Sequence, residues 1–144
     1  MLIARLRFGV ALAIFVGWLG WLALAVAKKG DTYPVSRAQL TNATHLVAAR
    51  LTLGDDGLPV EAAVVESLRG DLTPDAKPTI LNLANAIVVG GTAPKSGGIY
   101  LLALQYDGKT FRIAGLPRSP GTDPADPPRP LIYAWDDGTR AQVR

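Results

Sequence analysis

The sequence predicts a mainly β protein in which a single N-terminal transmembrane α-helix, residues 8–27, precedes a small antiparallel β-barrel of OB-like type. Three observations lead there. Residues 8–27 contain no charge and no Pro. Two pairs of strand-forming segments follow, joined by the turn signals Gly54-Asp55-Asp56-Gly57 and Asp107-Gly108. Pro residues then crowd the stretch 116–130, which excludes a central strand there and favours extended, polyproline-like chain. Five or six short strands in about 100 residues fit a closed or partly closed barrel, with a β-sandwich as the alternative.

At about 1.5 Å rise per residue, the run 8–27 spans roughly 30 Å, the thickness of a hydrocarbon core. Arg5 and Arg7 precede it and Lys28 and Lys29 follow it, so the charges bracket the span without orienting it. A short basic segment before an apolar run is the usual export signal, which places the following domain outside the cytoplasm. The competing reading is a cleaved signal peptide, because Ala25-Val26-Ala27 fits the small-residue cleavage pattern. The length of the apolar run and the lysines directly after it favour an anchor. Gly9, Ala13 and Gly17 recur every four residues and stack on one face, where another helix can approach closely. Trp18 and Trp21 lie on a neighbouring face, and Trp18 falls near mid-span rather than at a headgroup belt.

The predicted organisation is a basic N-terminus (1–7), the helix (8–27), a linker (28–35), the barrel (36–116) and a Pro-rich arm with a terminal aromatic segment (117–144). Ser36-Arg37-Ala38-Gln39 resembles a capping box that opens a brief helix ending near Thr41 or Asn42. Segments 44–53 and 58–68 form a long hairpin. In its first strand His45, Val47, Ala49, Leu51 and Leu53 share one face, and Leu46, Ala48, Arg50 and Thr52 the other. This weak alternation predicts partial cover on both faces. A short strand is expected at 79–83, and 84–98 reads as loop because it contains Gly90-Gly91, Pro94 and Gly97-Gly98. Segments 99–106 and 110–114 form the second hairpin. Residues 131–135 are a final apolar segment, and 136–144 a polar tail.

Chemistry is sparse. The chain has no Cys, so disulfides, thiolate nucleophiles and Cys-ligated metals are excluded. The only His is His45, in a strand with no nucleophile elbow, where a structural role is the commoner reading. Asp55-Asp56 and Asp136-Asp137 each precede Gly and read as turns; no calcium-loop spacing occurs, and no cofactor or metal is implied. The 90–98 loop lacks the Gly-x-x-x-x-Gly-Lys-Ser/Thr pattern of a phosphate loop. The net charge of +3 is scattered, and aromatic residues are few. Tyr100, Tyr106, Phe111 and Arg112 are the only candidates for a stacking surface, so no nucleic-acid partner is expected.

These features point to a non-catalytic accessory subunit of a larger membrane complex. Its expected partners are the membrane and other integral membrane protein subunits. The helix-packing residues are Gly9, Ala13, Gly17, Trp18 and Trp21. The partner-binding residues are Pro127, Pro128, Ile132, Tyr133 and Trp135, since a stiff arm tipped with aromatics loses little freedom on docking. An alternative for 131–135 is a last strand of the domain itself. The Ala-, Gly-, Arg- and Pro-rich composition suggests a bacterial inner membrane protein with a periplasmic domain. The alternative function is an exported or tethered ligand-binding module or envelope sensor.

Overall fold

The structure, a computed structural model, describes residues 2–28, 33–116, 121 and 129–143. They belong to two units, Met1–Thr32 and Tyr33–Arg144. The first is one helix, α1 (Leu2–Lys28). Over Arg7–Ala27 it is long and apolar enough to cross a membrane, a test that the apolar run of a signal sequence also passes.

The second unit is built on a six-stranded sheet: β1 (His45–Leu53), β2 (Pro59–Arg69), β3 (Ile87–Val88), β4 (Ile99–Tyr106), β5 (Phe111–Ile113) and β6 (Leu131–Ala134). Two short helices, α2 (Arg37–Asn42) and α3 (Asp137–Val143), and a 3-10 turn at Leu83–Asn85 complete it. The strand order is β2-β1-β4-β6-β3, with β5 also paired to β4.

Both hairpins form where turn chemistry directs them. In the β1–β2 turn Gly57 takes φ 75°, Leu58 N–H donates to Asp56 Oδ1 at 3.0 Å, and Gly54 N–H donates to the Leu58 carbonyl at 2.9 Å. Between β4 and β5, the Asp107 carboxylate accepts from Lys109 N–H, Thr110 N–H and Thr110 Oγ1–H at 2.8 to 3.0 Å. Those bonds hold its carboxyl below the usual range. Helix α2 begins where its sequence predicts, with Ser36 Oγ accepting from Gln39 N–H at 3.4 Å, but the reciprocal half of the capping box is absent: Ser36 N–H donates to Tyr133 Oη at 3.1 Å while the Gln39 side chain turns inward.

The sheet is open rather than closed, so the expected OB-like barrel, closed or partly closed, does not appear; a second sheet, as a sandwich requires, is absent among the described residues. The reason lies in the middle of the chain. Residues 79–83 do not make a full strand: Ile80 forms one bridge to Phe111, and the chain then coils into the 3-10 turn. β3 is two residues long, pairs parallel to β6, and is followed by Gly90 and Gly91 at φ 102° and 76°. Such short strands cannot carry the sheet round to β2. The β2 edge is instead covered locally, where Val64 N–H donates to the Ala76 carbonyl and Asp75 N–H to the Val64 carbonyl.

The sheet is buried on both faces. Val47, Ala49, Leu51, Val64, Leu102, Leu104 and Ile132 point to one side, under the 70–98 crossover that contributes Leu72, Ala76, Ile80 and Leu83. Leu46, Leu101, Ala103 and Tyr133 point to the other, under Leu40 of α2 and Val143 of α3. Period-two alternation therefore places apolar residues at consecutive positions of β1 and β4, which explains their nearly continuous hydrophobicity. Among the described residues two polar ones are buried, Thr139 of α3 and Gln39 of α2. Gln39 is fully buried and donates to the carbonyls of Ala114 at 2.6 Å and Leu131 at 2.8 Å, while its Oε1 accepts from Tyr133 O–H at 3.0 Å.

Residues 129–143 belong to this domain rather than to an arm outside it. β6 pairs with β4, and the segment read as a polar tail forms α3, whose first turn is capped by Asp136 Oδ1 accepting from Thr139 N–H at 2.7 Å.

Candidate functional site

The predicted helix-packing residues share α1. Gly9 and Gly17 have open space where a side chain would stand, and Ala13 between them is exposed. Trp18 and Trp21 expose 55% and 65% of their surface. An uninterrupted exposed apolar surface of this length is stable only against lipid, detergent or protein.

The C-terminal residues divide. Pro127 and Pro128 lie outside the described residues. Ile132 is completely buried and Tyr133 is 4% exposed, so their side chains serve the domain's own core and are not presented to a partner. The physical reason is β6: once Tyr100 pairs with Ala134 and Leu101 with Tyr133, successive side chains enter the two opposite cores. Trp135, just beyond β6, stays half-buried, with the Arg140 guanidinium 5.1 Å above its ring. It borders a shallow hollow of about 260 Å³ with Thr92, Lys95 and Tyr100.

A polar and aromatic cluster gathers where β1 starts and β2 and β4 end. His45 Nε2 stands 2.8 Å from Asp71 Oδ1, and its Nδ1 stands 2.9 Å from Thr44 Oγ1. Phe111 and Tyr106 meet the imidazole edge-on, at centroid distances of 5.1 and 6.1 Å. A hydroxyl, an imidazole and a carboxylate in sequence form the arrangement that activates nucleophiles. Here, however, Thr44 Oγ1 also accepts from Tyr106 N–H at 2.9 Å and lies 3.2 Å from the Leu104 carbonyl. The hydroxyl thus extends the β1–β4 ladder past its last regular pair, and His45 is a clasp between strands.

No family model, curated protein or solved structure matches this chain.

Of the four residues considered as a stacking surface, the fold unites Tyr106, Phe111 and Arg112 at the β4–β5 end. Tyr100 is buried elsewhere, its hydroxyl accepting from Lys95 N–H at 2.9 Å. Gln105 and Arg112 are register partners across β4 and β5. They border two hollows. One, of about 430 Å³, is lined by Asn42, Thr44, Tyr106 and Asp107. The other, of about 550 Å³, is lined by Asn82, Asn85, Ile87, Ile113, Arg129 and Pro130.

The larger hollow arises from the topology. β5 and β6 both flank β4 on the same side but do not pair with each other; among the described residues the chain past β5 meets the chain before β6 in a bridge from Gly115 to Pro130. In the gap Asn82 replaces a strand: its Oδ1 accepts from Ile113 N–H at 2.8 Å and its Nδ2 donates to the Ile113 carbonyl at 3.1 Å. Nothing in the local sequence marks Arg129 or Asn85 as neighbours of Arg112, because the bridge that aligns them is a long-range contact.

Proposed function

We propose that this chain is a non-catalytic, membrane-anchored accessory subunit of a larger membrane complex. α1 packs among neighbouring integral membrane subunits, and the β-domain, on the extracytoplasmic side of a bacterial inner membrane, docks on their exposed parts. The observation that carries this reading is the surface of α1: a small-residue stripe open for close helix contact, beside Trp18 at a depth where an indole gains more from protein than from headgroups. An energy-transducing complex, respiratory or photosynthetic, suits such a subunit. Within the domain, Trp135 takes over the docking role expected of the whole aromatic segment.

Gentle solubilisation followed by native electrophoresis and mass spectrometry tests the reading. The expected result is co-migration with other membrane subunits. A lone monomer with no attached chains sinks it. Gly17→Leu should weaken the assembly while leaving insertion intact, and unchanged assembly would reduce α1 to an anchor.

A second reading, a tethered ligand-binding module, is favoured by the hollow between β5 and β6. In that case replacing α1 with an unrelated anchor leaves the domain's binding unaffected.

A further inference from the structure

We propose that the hollow between β5 and β6 is a binding site for a small anion bearing a phosphate or carboxylate group, held by Arg112 and Arg129. At about 550 Å³ it falls within the range of about 300–1,000 Å³ typical of ligand pockets. Its chemistry is asymmetric. Arg112, Arg129, Asn82, Asn85 and Gln105 supply side-chain donors on its walls, Ile87, Ile113 and Pro130 supply apolar lining, and among the described residues no carboxylate lines it.

The donor groups differ in how far they are already committed. Both Asn82 polar atoms are spent on Ile113, and Gln105 Nε2 donates to the Asn42 carbonyl at 3.1 Å, so these two residues build the frame. Among the described residues, neither guanidinium lies within 4.0 Å of a carboxylate; the two ion pairs found there are His45–Asp71 and Lys77–Glu61. Asp107 feels the Arg112 charge from the adjoining hollow, but its oxygens are taken up by Lys109 and Thr110 of the turn. Both arginines line this one space, where an anion would offset their like charge, and each can grip a phosphate or carboxylate with a fork of N–H donors. Asn85 adds a neutral donor, and the apolar lining admits a short hydrocarbon portion.

The site stands independently of how α1 assembles. The anion can belong to a lipid headgroup or to a soluble molecule, since the recognised chemistry is the same.

The test uses the full chain in neutral maltoside micelles, with side-chain resonances of arginine Nε–H and asparagine amides followed by NMR as inorganic phosphate is added. The expected result is saturable shifts of Arg112, Arg129 and Asn85 that chloride at matched ionic strength does not produce. Arg112→Gln or Arg129→Gln should weaken phosphate at least about tenfold, as loss of a charge-assisted fork implies. Lys109→Gln, which removes a nearby charge outside the hollow, should leave binding unchanged. Shifts that never saturate, that chloride reproduces, or that fall equally in Lys109→Gln overturn the proposal. Nanodiscs then separate the sources: shifts on adding phosphatidylglycerol to phosphatidylcholine discs identify a headgroup, and shifts with soluble phosphate alone identify a free anion, either result supporting the site.

Discussion

His45 and Asp71 join the first residue of β1 to the chain just past the end of β2 through a 2.8 Å contact between Nε2 and Oδ1. The imidazole side chain is 12% exposed and the carboxylate side chain 95% exposed, so the pair is a clasp whose outer half stands in water. The hydrogen bond from His45 holds the Asp71 carboxyl below its ordinary value of 3.8. A lowered folded pKa means that the stabilisation is fully present above that ordinary value and is lost as pH falls through the folded one. Asp71→Asn should therefore lower the melting temperature slightly near neutral pH, and the gap should close in acid. Because the carboxylate is exposed, added salt should shrink the gap as well. Thermal melts over pH and salt check both statements.

Gly70 supports the same clasp from below. Its φ is 97°, and a side chain there would run into the His45 ring. Gly70→Ala combines left-handed strain with that collision and should cost about 1–3 kcal/mol, measured by denaturant unfolding. Loss of the His45–Asp71 contact in the same variant would appear as an Asp71→Asn substitution that no longer has any effect.

Much of this domain is legible in its sequence, and the parts that are not share a cause. The two hairpins and α2 are set by residues that bond within a few positions, such as Asp56, Asp107 and Ser36. The missing third strand, the short parallel β3 and α3 depend on partners far along the chain. β3 exists because Ile87 and Val88 meet Leu131 and Ile132, and α3 is kept by Val143 on the second core. The same holds for the site. The exposed surface of α1 is read directly from 8–27, whereas Ile132 and Tyr133 look like docking residues until β6 is known to pair with β4. The Arg112–Arg129 hollow is invisible without the Gly115–Pro130 bridge.

Ile132 distinguishes a core role from a docking role. It is completely buried against the crossover side of the sheet, so Ile132→Ala should cost about 2–5 kcal/mol. Trp135→Ala removes a half-buried ring and a partly buried cation–π contact worth about 0.5–2 kcal/mol, and should destabilise the domain less than Ile132→Ala does. If Trp135 docks on a partner, its loss should reduce co-purification more than Ile132→Val, which keeps the core filled.

The Gln39 network should behave as one unit. Gln39→Leu strands two carbonyls and the Tyr133 hydroxyl, and Tyr133→Phe deprives Gln39 Oε1 and Ser36 N–H of their partner. Each unsatisfied buried group costs about 1–3 kcal/mol. The double variant should cost clearly less than the sum of the singles, because both remove the Gln39–Tyr133 bond. A double-mutant cycle by chemical denaturation reads the coupling, and strict additivity would break the network apart.

The bonds from Val35 N–H to Gln142 Oε1 and from Gln142 Nε2–H to the Tyr33 carbonyl bring the two ends of the domain together. β4, its central strand, likewise takes one neighbour from early in the domain and another from near its close. Loops of that length must be closed before their contacts stabilise anything, which makes folding slow and puts its completion late. A nascent chain whose residues 129–143 are still held in the ribosome has neither β6 nor α3 to offer. The domain thus completes its sheet only when residues 129–143 are free to join it, and until then the apolar side chains of β1 and β4 on both faces lack part of their cover.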